Sequence, residues 1–434
     1  MTPPVIGILG ILLLFFLMFV LGTPVAFAMI ISGFWGYFFI LDINAACSML
    51  GTELWETLSS YGLTVIPLFV FMGQAAFRSG ISKKLYDAAY AWFGTVKGGL
   101  AMSTIISCSA FSAICGSNSA TAATMMSVVM PEMEKYKYNP ILSTGSIACG
   151  STLGVVIPPS VVLIVIGLST GLSISKLFYG SIMAGLIVTL LFLVTIYILC
   201  IIYPSWAPKA ASTSFSEKMR TLPGIIDMLI LFTVVMAGLY FGVFTPVEAG
   251  AVGSAGAVIL GIIRKSFSLK AFYASVADTL KISCMVISIV AGAVIFGKFL
   301  ALTRIPFDVA SWVSSLPLSN SLIIVTILLV CAIGGTFMDS LALLLIAIPV
   351  FYPVALSMGY DPIWFSIILT VVTTLGAVTP PVGATAYVVA GMSPHISLKD
   401  IFKGITFFIP AYMICIAILM IFPKIITVLP NLVH

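Results

Sequence analysis

Apolar residues dominate nearly every window of this chain, and polar residues arrive in short clusters that punctuate the runs. Segments 4–21, 24–41, 63–77, 178–203, 225–244 and 405–422 are apolar on all faces and about as long as a helix that crosses a bilayer. A membrane β-barrel would alternate apolar and polar residues instead, so the pattern predicts an all-α polytopic membrane protein. The stretch 44–60, with Glu53 and Glu56, is too polar to cross and is expected to lie along the interface. Arg78, Lys83, Lys84 and Lys97 follow the third run on an amphipathic arm, expected on the cytoplasmic side.

Two kinds of interruption break the apolar runs. Segment 99–130 is split at its midpoint by Gly116-Ser117-Asn118-Ser119-Ala120-Thr121. Each half is about 15 residues long, too short to span about 30 Å of hydrocarbon at 1.5 Å per residue. A re-entrant hairpin with a polar tip at mid-membrane fits this pattern. Segment 141–171 is split instead by Pro158-Pro159. A proline pair removes two backbone donors and breaks a helix, which membrane depth tolerates only where protein or a polar cavity surrounds the freed carbonyls.

The proline break and an earlier Thr-Pro turn recur 222 residues later. Leu153-Gly154-Val155-Val156-Ile157-Pro158-Pro159 is answered by Leu375-Gly376-Ala377-Val378-Thr379-Pro380-Pro381, and Gly22-Thr23-Pro24-Val25 by Phe244-Thr245-Pro246-Val247. Aligned without gaps, 131–175 and 353–397 share 12 identical positions of 45, clustered at turns and breaks. This is an internal duplication. The first repeat covers 1–203, with a hairpin at about 99–130 and a broken helix at 141–171. A hydrophilic linker spans 204–222. The second repeat covers 223–434, with a hairpin at about 321–353 and a broken helix at 362–392. Each repeat has about five spans and one hairpin; five is odd, so the second enters the membrane upside down. With the N-terminus outside, 15 of the 19 Lys and Arg fall on the cytoplasmic side, leaving Lys176, Lys298, Arg304 and Lys424.

Composition narrows the functions that remain. At 61% hydrophobic and 8% charged residues, with a mean hydropathy of +1.23, no soluble domain fits. The net charge of +5 comes from scattered lysines and arginines, with no basic aromatic cluster for nucleic acid. Two histidines exclude a multi-histidine metal or haem site, and eight cysteines without a CxxC pair read as small core residues. Segment 1–21 lacks a basic start and a small-residue cleavage site, and is expected to be a retained span.

Candidate chemistry lies where hairpin tips and proline breaks meet. Sodium is held by hard oxygens, which unwound carbonyls and hydroxyls supply without burying a full charge. A first sodium site is expected from Ser117, Asn118, Ser119, Gly154, Val156 and Pro158. A second is expected from Gly334, Gly335, Thr336, Asp339, Gly376 and Thr379, closer to the substrate. Asp339 is the one acid near the middle of an apolar segment, where a charge costs on the order of 2.5–3.5 kcal/mol. It reads as a cation ligand or as the cap of the next half-helix. Glu248 reads as a helix cap. Small residues at these tips could also serve close packing alone.

Val129-Met130-Pro131-Glu132-Met133, the run from Gly150 to Ser160, Ser173-Ile174-Ser175-Lys176-Leu177-Phe178 and Thr379-Pro380-Pro381-Val382-Gly383 closely resemble the large membrane subunit of tripartite ATP-independent periplasmic transporters. The tip 111–117 is similar to the family's first hairpin tip, and the resemblance spans essentially the whole chain. It implies a sodium-driven importer of organic acid anions in the bacterial inner membrane. Hairpins and broken helices would move as an elevator against the remaining spans. It further implies two partners, a small four-helix membrane subunit and a periplasmic substrate-binding protein, and no cofactor beyond Na⁺ as coupling ion. Ser119, Thr121, Pro381, Gly383, Thr385 and Tyr387 are the substrate-contact candidates. The alternatives are a stand-alone dicarboxylate/sodium symporter or sodium/proton antiporter of the same superfamily, and, in another class, a non-catalytic subunit of a membrane enzyme complex. An antiporter would call for paired intramembrane carboxylates, where only Asp339 qualifies.

Overall fold

The computed structural model describes residues 2–208, 215–315 and 317–432, and every regular element among them is helical. The first half holds α1 (Pro3–Phe19), α2 (Val25–Ile40), α3 (Ile43–Leu58), α4 (Val65–Arg78), α5 (Ile81–Phe93), α6 (Gly99–Cys115), α7 (Asn118–Lys135), α8 (Pro140–Ser151), α9 (Leu153–Val156), α10 (Val161–Thr170) and α11 (Ile174–Ile202). The second half holds α12 (Phe215–Tyr240), α13 (Pro246–Ile263), α14 (Leu269–Thr303), α15 (Ile305–Ser315), α16 (Asn320–Gly335), α17 (Ser340–Ser357), α18 (Pro362–Gly376), α19 (Ala384–Met392), α20 (Leu398–Thr406), α21 (Ile409–Ile421) and α22 (Lys424–Asn431). Among the described residues, eight helical segments are long and apolar enough to cross a membrane.

Local chemistry explains where the helices begin. Pro140 and Pro362 stand at first helical positions behind Asn139 and Asp361, whose side chains accept from backbone amides at 2.9 Å. Thr245 and Glu248 form a reciprocal capping box at the head of α13. Part of the expected linker, 209–214, lies outside the described residues. Its charged end does not remain a linker: Lys218 and Arg220 lie on the opening turns of α12.

Helix bounds keep the 222-residue interval. α7 and α17 both have 18 residues and start at 118 and 340; α8 and α18 start at 140 and 362. One departure is local. The turn Ser59-Ser60-Tyr61-Gly62, which separates α3 from α4, is matched by Lys281-Ile282-Ser283-Cys284, which contains no glycine, and there the chain runs on as the single 35-residue α14.

The halves interlock. α2 packs on α14, and α13 packs reciprocally on α4. The first contact needs Gly292, where a Cβ would meet the Ala26 carbonyl at 2.6 Å. Ion pairs tie the same helices: Arg78, ending α4, with Asp278, early in α14, and Lys298, late in α14, with Glu53 of α3 at 3.0 Å. Asp227, the lone acid of its apolar span, is buried and held by Arg264 at 2.8 Å and 3.0 Å. A second group forms around the breaks, with α6 on α8 and α16 on α18. Six of the eight cysteines are buried and two, Cys47 and Cys284, are exposed; all are free.

Candidate functional site

The first hairpin turns in two residues. Gly116 closes α6 in the left-handed region at φ 62°, its N–H donating to the Ser112 carbonyl, and Ser117 opens α7 without a side-chain cap bond. Any Cβ on Gly116 would stand 3.0 Å from the Pro159 carbonyl oxygen, so only glycine lets the tip approach the break this closely. Across the break, a Cβ on Gly154 would meet the Ser117 carbonyl oxygen at 2.9 Å and Thr121 Oγ1 at 3.1 Å. Tip one and break one therefore touch through backbone and hydroxyl oxygens. Pro158 and Pro159 have no N–H to offer the carbonyls of Gly154 and Val155.

The polar side chains here lack partners. Ser112 Oγ, both ends of the Asn118 amide, Thr121 Oγ1 and Ser160 Oγ are buried with no hydrogen bond of normal geometry. Thr121 Oγ1 faces the Cys115 thiol, a weak partner. Buried polar groups are ordinarily hydrogen-bonded, and these form a cluster that no other described residue satisfies with normal geometry. Its oxygens suit a hard cation, and no full negative charge lies in the cluster itself.

The sequence expectation for this site is matched unevenly. Ser117, Asn118 and Gly154 come together, and Val156 and Pro158 line the buried break. Ser119 faces away and is exposed. Thr121, expected at the substrate, joins the break instead. Ser112 and Ser160 were missed; Ser160 follows the proline pair directly, a position the sequence marks only once the break is known to be buried.

The second tip is built differently. The Thr336 carbonyl accepts from the amides of Val382 at 3.1 Å and Gly383 at 3.2 Å, joining tip and break directly. The break-two carbonyls have donors of their own: Gly376 accepts from Thr379 N–H at 2.9 Å, and Ala377 from Thr385 N–H at 3.3 Å. Gly335 and Gly376 lie back to back, and a Cβ on Gly376 would stand 2.6 Å from the Gly335 Cα. A Cβ on Gly334 would meet Leu343 Cδ1 at 3.0 Å. Thr336 and Thr379 donate their hydroxyls to their own helices at 2.8 Å and 2.6 Å. At these glycines close packing is what the geometry provides.

Asp339 caps α17 by accepting from Leu341 N–H at 3.1 Å, yet it is exposed. It lines a cavity of about 410 Å³ opposite Ser117, Asn118 and Ser119. The facing wall is one stripe of α14 that presents Asp278 and Lys281. Neither residue stood out in the sequence. Of the expected substrate contacts, only Ser119 lines this cavity. Thr385 is buried, Gly383 caps α19 at φ 58°, and Pro381 and Tyr387 are exposed elsewhere.

Two apolar clefts flank this site at repeat-related positions. One, of about 470 Å³, lies between α14, α15, α17 and α10 and includes Thr170, Leu345 and Pro349. The other, of about 240 Å³, lies between α4, α6, α7 and α19 and includes Met392, Ala123 and Ser127, each offset by 222 from those three.

Comparison with known proteins agrees with this architecture. The chain is 32% identical over 345 residues to the C4-dicarboxylate TRAP transporter large permease protein DctM of Pseudomonas aeruginosa, covering 79% of this chain and 80% of that one. It is 30% identical over 419 residues to the isethionate TRAP transporter permease protein DctMQ of Oleidesulfovibrio alaskensis, covering 94% of this chain and 63% of that one. The YdaH transporter of Alcanivorax borkumensis shares its fold, with a TM-score of 0.66 at 14% identity over 89% of this chain and 90% of that one. Residues 12–425 match the family model described as tripartite ATP-independent periplasmic transporter, DctM component, and the chain belongs to that family.

Proposed function

We propose that this chain is the membrane-embedded permease subunit of a sodium-coupled secondary importer of organic acid anions, resident in the bacterial inner membrane. The observation that carries the sodium reading is the cluster of unpartnered oxygens at tip one and break one: Asn118 Oδ1, Thr121 Oγ1, Ser160 Oγ and Ser112 Oγ. A coordinated Na⁺ would satisfy several of them at once, and transport of the ion down its gradient would drive the solute. The acid-anion reading rests on Lys281 at the wall of the cavity beside it, and on the relatives, one named for C4-dicarboxylates and one for isethionate.

An elevator cycle accounts for the rest of the geometry. The interlocked α2, α14, α4 and α13 form the fixed frame, while hairpins and broken helices form the moving body. The repeat-related clefts, about 470 and 240 Å³, lie along the boundary between them, and their inequality fits a molecule on one side of its cycle. The ties from the end of α4 to the start of α14, and from α3 to its far end, fit halves inserted with opposite orientation. A small four-helix membrane subunit and a periplasmic binding protein complete the assembly. The test is uptake by proteoliposomes holding all three components: replacing Na⁺ with choline should abolish it, and proton-driven uptake without Na⁺ would overturn the coupling.

A further inference from the structure

We propose that Lys281 is a specificity-determining residue that receives the acid group, carboxylate or sulfonate, of the transported solute. The inference rests on the acid-anion reading above. Lys281 is exposed into the cavity of about 410 Å³ shared by tip one and Asp339. It has no ion pair among the described residues, although the same helix offers it a carboxylate one turn away. Asp278 stands at i−3, a spacing at which helical Asp and Lys ordinarily meet. That carboxylate is taken by Arg78 of α4 instead. The pairing across helices leaves Lys281 without an ion-pair partner among the described residues, at the wall of a largely apolar cavity that Asp339 also lines.

Backbone geometry explains how a lysine comes to stand there. In the first half the equivalent position, Ser59, lies in the turn between α3 and α4. In the second half α14 continues unbroken through Lys281, so the side chain is fixed on a rigid helix facing the cavity rather than free in a surface turn. Topology does not need it, because Arg264, Lys265 and Lys270 already supply positive charge at that end of α14. Asp339 and the oxygens of tip one favour a cation, so an anion entering this cavity finds Lys281 as its attractive partner and the ion site within reach. The solute's acid group would exchange water for a charge-assisted hydrogen bond from Nζ.

Direct binding tests this. The purified complex with its small subunit, without binding protein, is titrated in sodium buffer with radiolabelled succinate and radiolabelled isethionate as probes. Lys281→Met should weaken binding of the favoured probe about tenfold to a hundredfold, the loss expected for a hydrogen bond to a charged group. Lys281→Arg should retain most of the affinity, and the Na⁺ concentration for half-stabilisation should not rise in either variant. A cysteine at 281, in a background with exposed Cys47 and Cys284 replaced by serine, should regain affinity on reaction with an aminoethyl thiosulfonate, but not with its methyl counterpart. Unchanged affinity in Lys281→Met, or equal losses in Lys281→Met and Lys281→Arg with no rescue, would overturn the assignment alone. Wild-type protein that binds neither probe would overturn the acid-anion reading and this proposal together.

Discussion

Replacing Thr121 by valine keeps the shape and removes one hydroxyl from the unpartnered cluster. That hydroxyl is buried without a normal hydrogen bond to another described residue, so where no ion occupies the proposed site its removal should relieve an unfavourable term of about 1–3 kcal/mol. Helix propensity barely changes between Thr and Val, and Thr121 lies in the first turn of α7, where little else depends on it. The variant is therefore expected to be as stable as wild type, or more so, in choline buffer. On the proposed sodium site, Na⁺ should reverse the comparison. A ligand at a hundred times its Kd stabilises the folded protein by about 2.7 kcal/mol, and a site that has lost one oxygen gives up much of that gain. Melting curves of the purified protein, in NaCl and in choline chloride, read both terms. The expected outcome is a sign change: valine above threonine without Na⁺, threonine above valine with it. A valine variant destabilised equally in both buffers would refute the reasoning, since the hydroxyl would then be a packing or backbone partner. A full sodium-induced shift in the variant would place the ion elsewhere.

Three further outcomes follow from the packing. Gly376→Ala would drive a methyl against the Gly335 backbone and should destabilise the protein by about 1–3 kcal/mol, read as a lower melting temperature. The half-exposed Arg78–Asp278 pair should show a coupling of about 1 kcal/mol or less in a double-mutant cycle with Arg78→Met and Asp278→Asn, and Arg78→Met alone should also weaken solute binding by freeing Asp278 to neutralise Lys281. Single cysteines replacing Lys84 and Arg304 should react with an impermeant maleimide from opposite sides of the membrane; labelling of both from one side would refute the opposed halves.

What the sequence disclosed was whatever is chemically local. A proline pair ends a helix wherever it stands, and Asn139-Pro140 and Asp361-Pro362 announce a helix start, so these helix ends and starts could be read directly. The polar run 116–121 likewise marked its own turn. Facing is a different matter. Ser119 and Thr121 are two residues apart on one helix, so they point to nearly opposite sides, and only the docking of α7 decides which meets the break and which the cavity. Lys281 was hidden for a related reason. Charge between apolar runs reads as loop, and nothing local shows that α14 continues through it with Asp278 diverted to Arg78.

The unequal fates of the two proline breaks follow from the same distinction. Tip two meets its broken helix chiefly through backbone groups, the Thr336 carbonyl and the amides of Val382 and Gly383, and its Ser340 hydroxyl donates to the Thr373 carbonyl at 3.3 Å. Tip one meets its break through the Ser117 carbonyl, the Thr121 hydroxyl and the Gly116 backbone, and the side chains of Asn118, Thr121 and Ser160 leave oxygens over. The substitutions between repeats account for the difference. Ser160 becomes Val382, so break two loses a hydroxyl, while Ser117 becomes Asp339, which caps α17 and faces the shared cavity. The acid expected to complete a second ion site therefore stands across the cavity from the first tip. Removing its charge by Asp339→Asn should leave the cap hydrogen bond possible, because an amide oxygen still accepts from Leu341 N–H. On this arrangement any loss of sodium affinity in that variant reflects the electrostatics of the cavity. It should therefore fall as salt is raised with choline chloride, whereas the loss from Thr121→Val, a missing ligand in a buried site, should not.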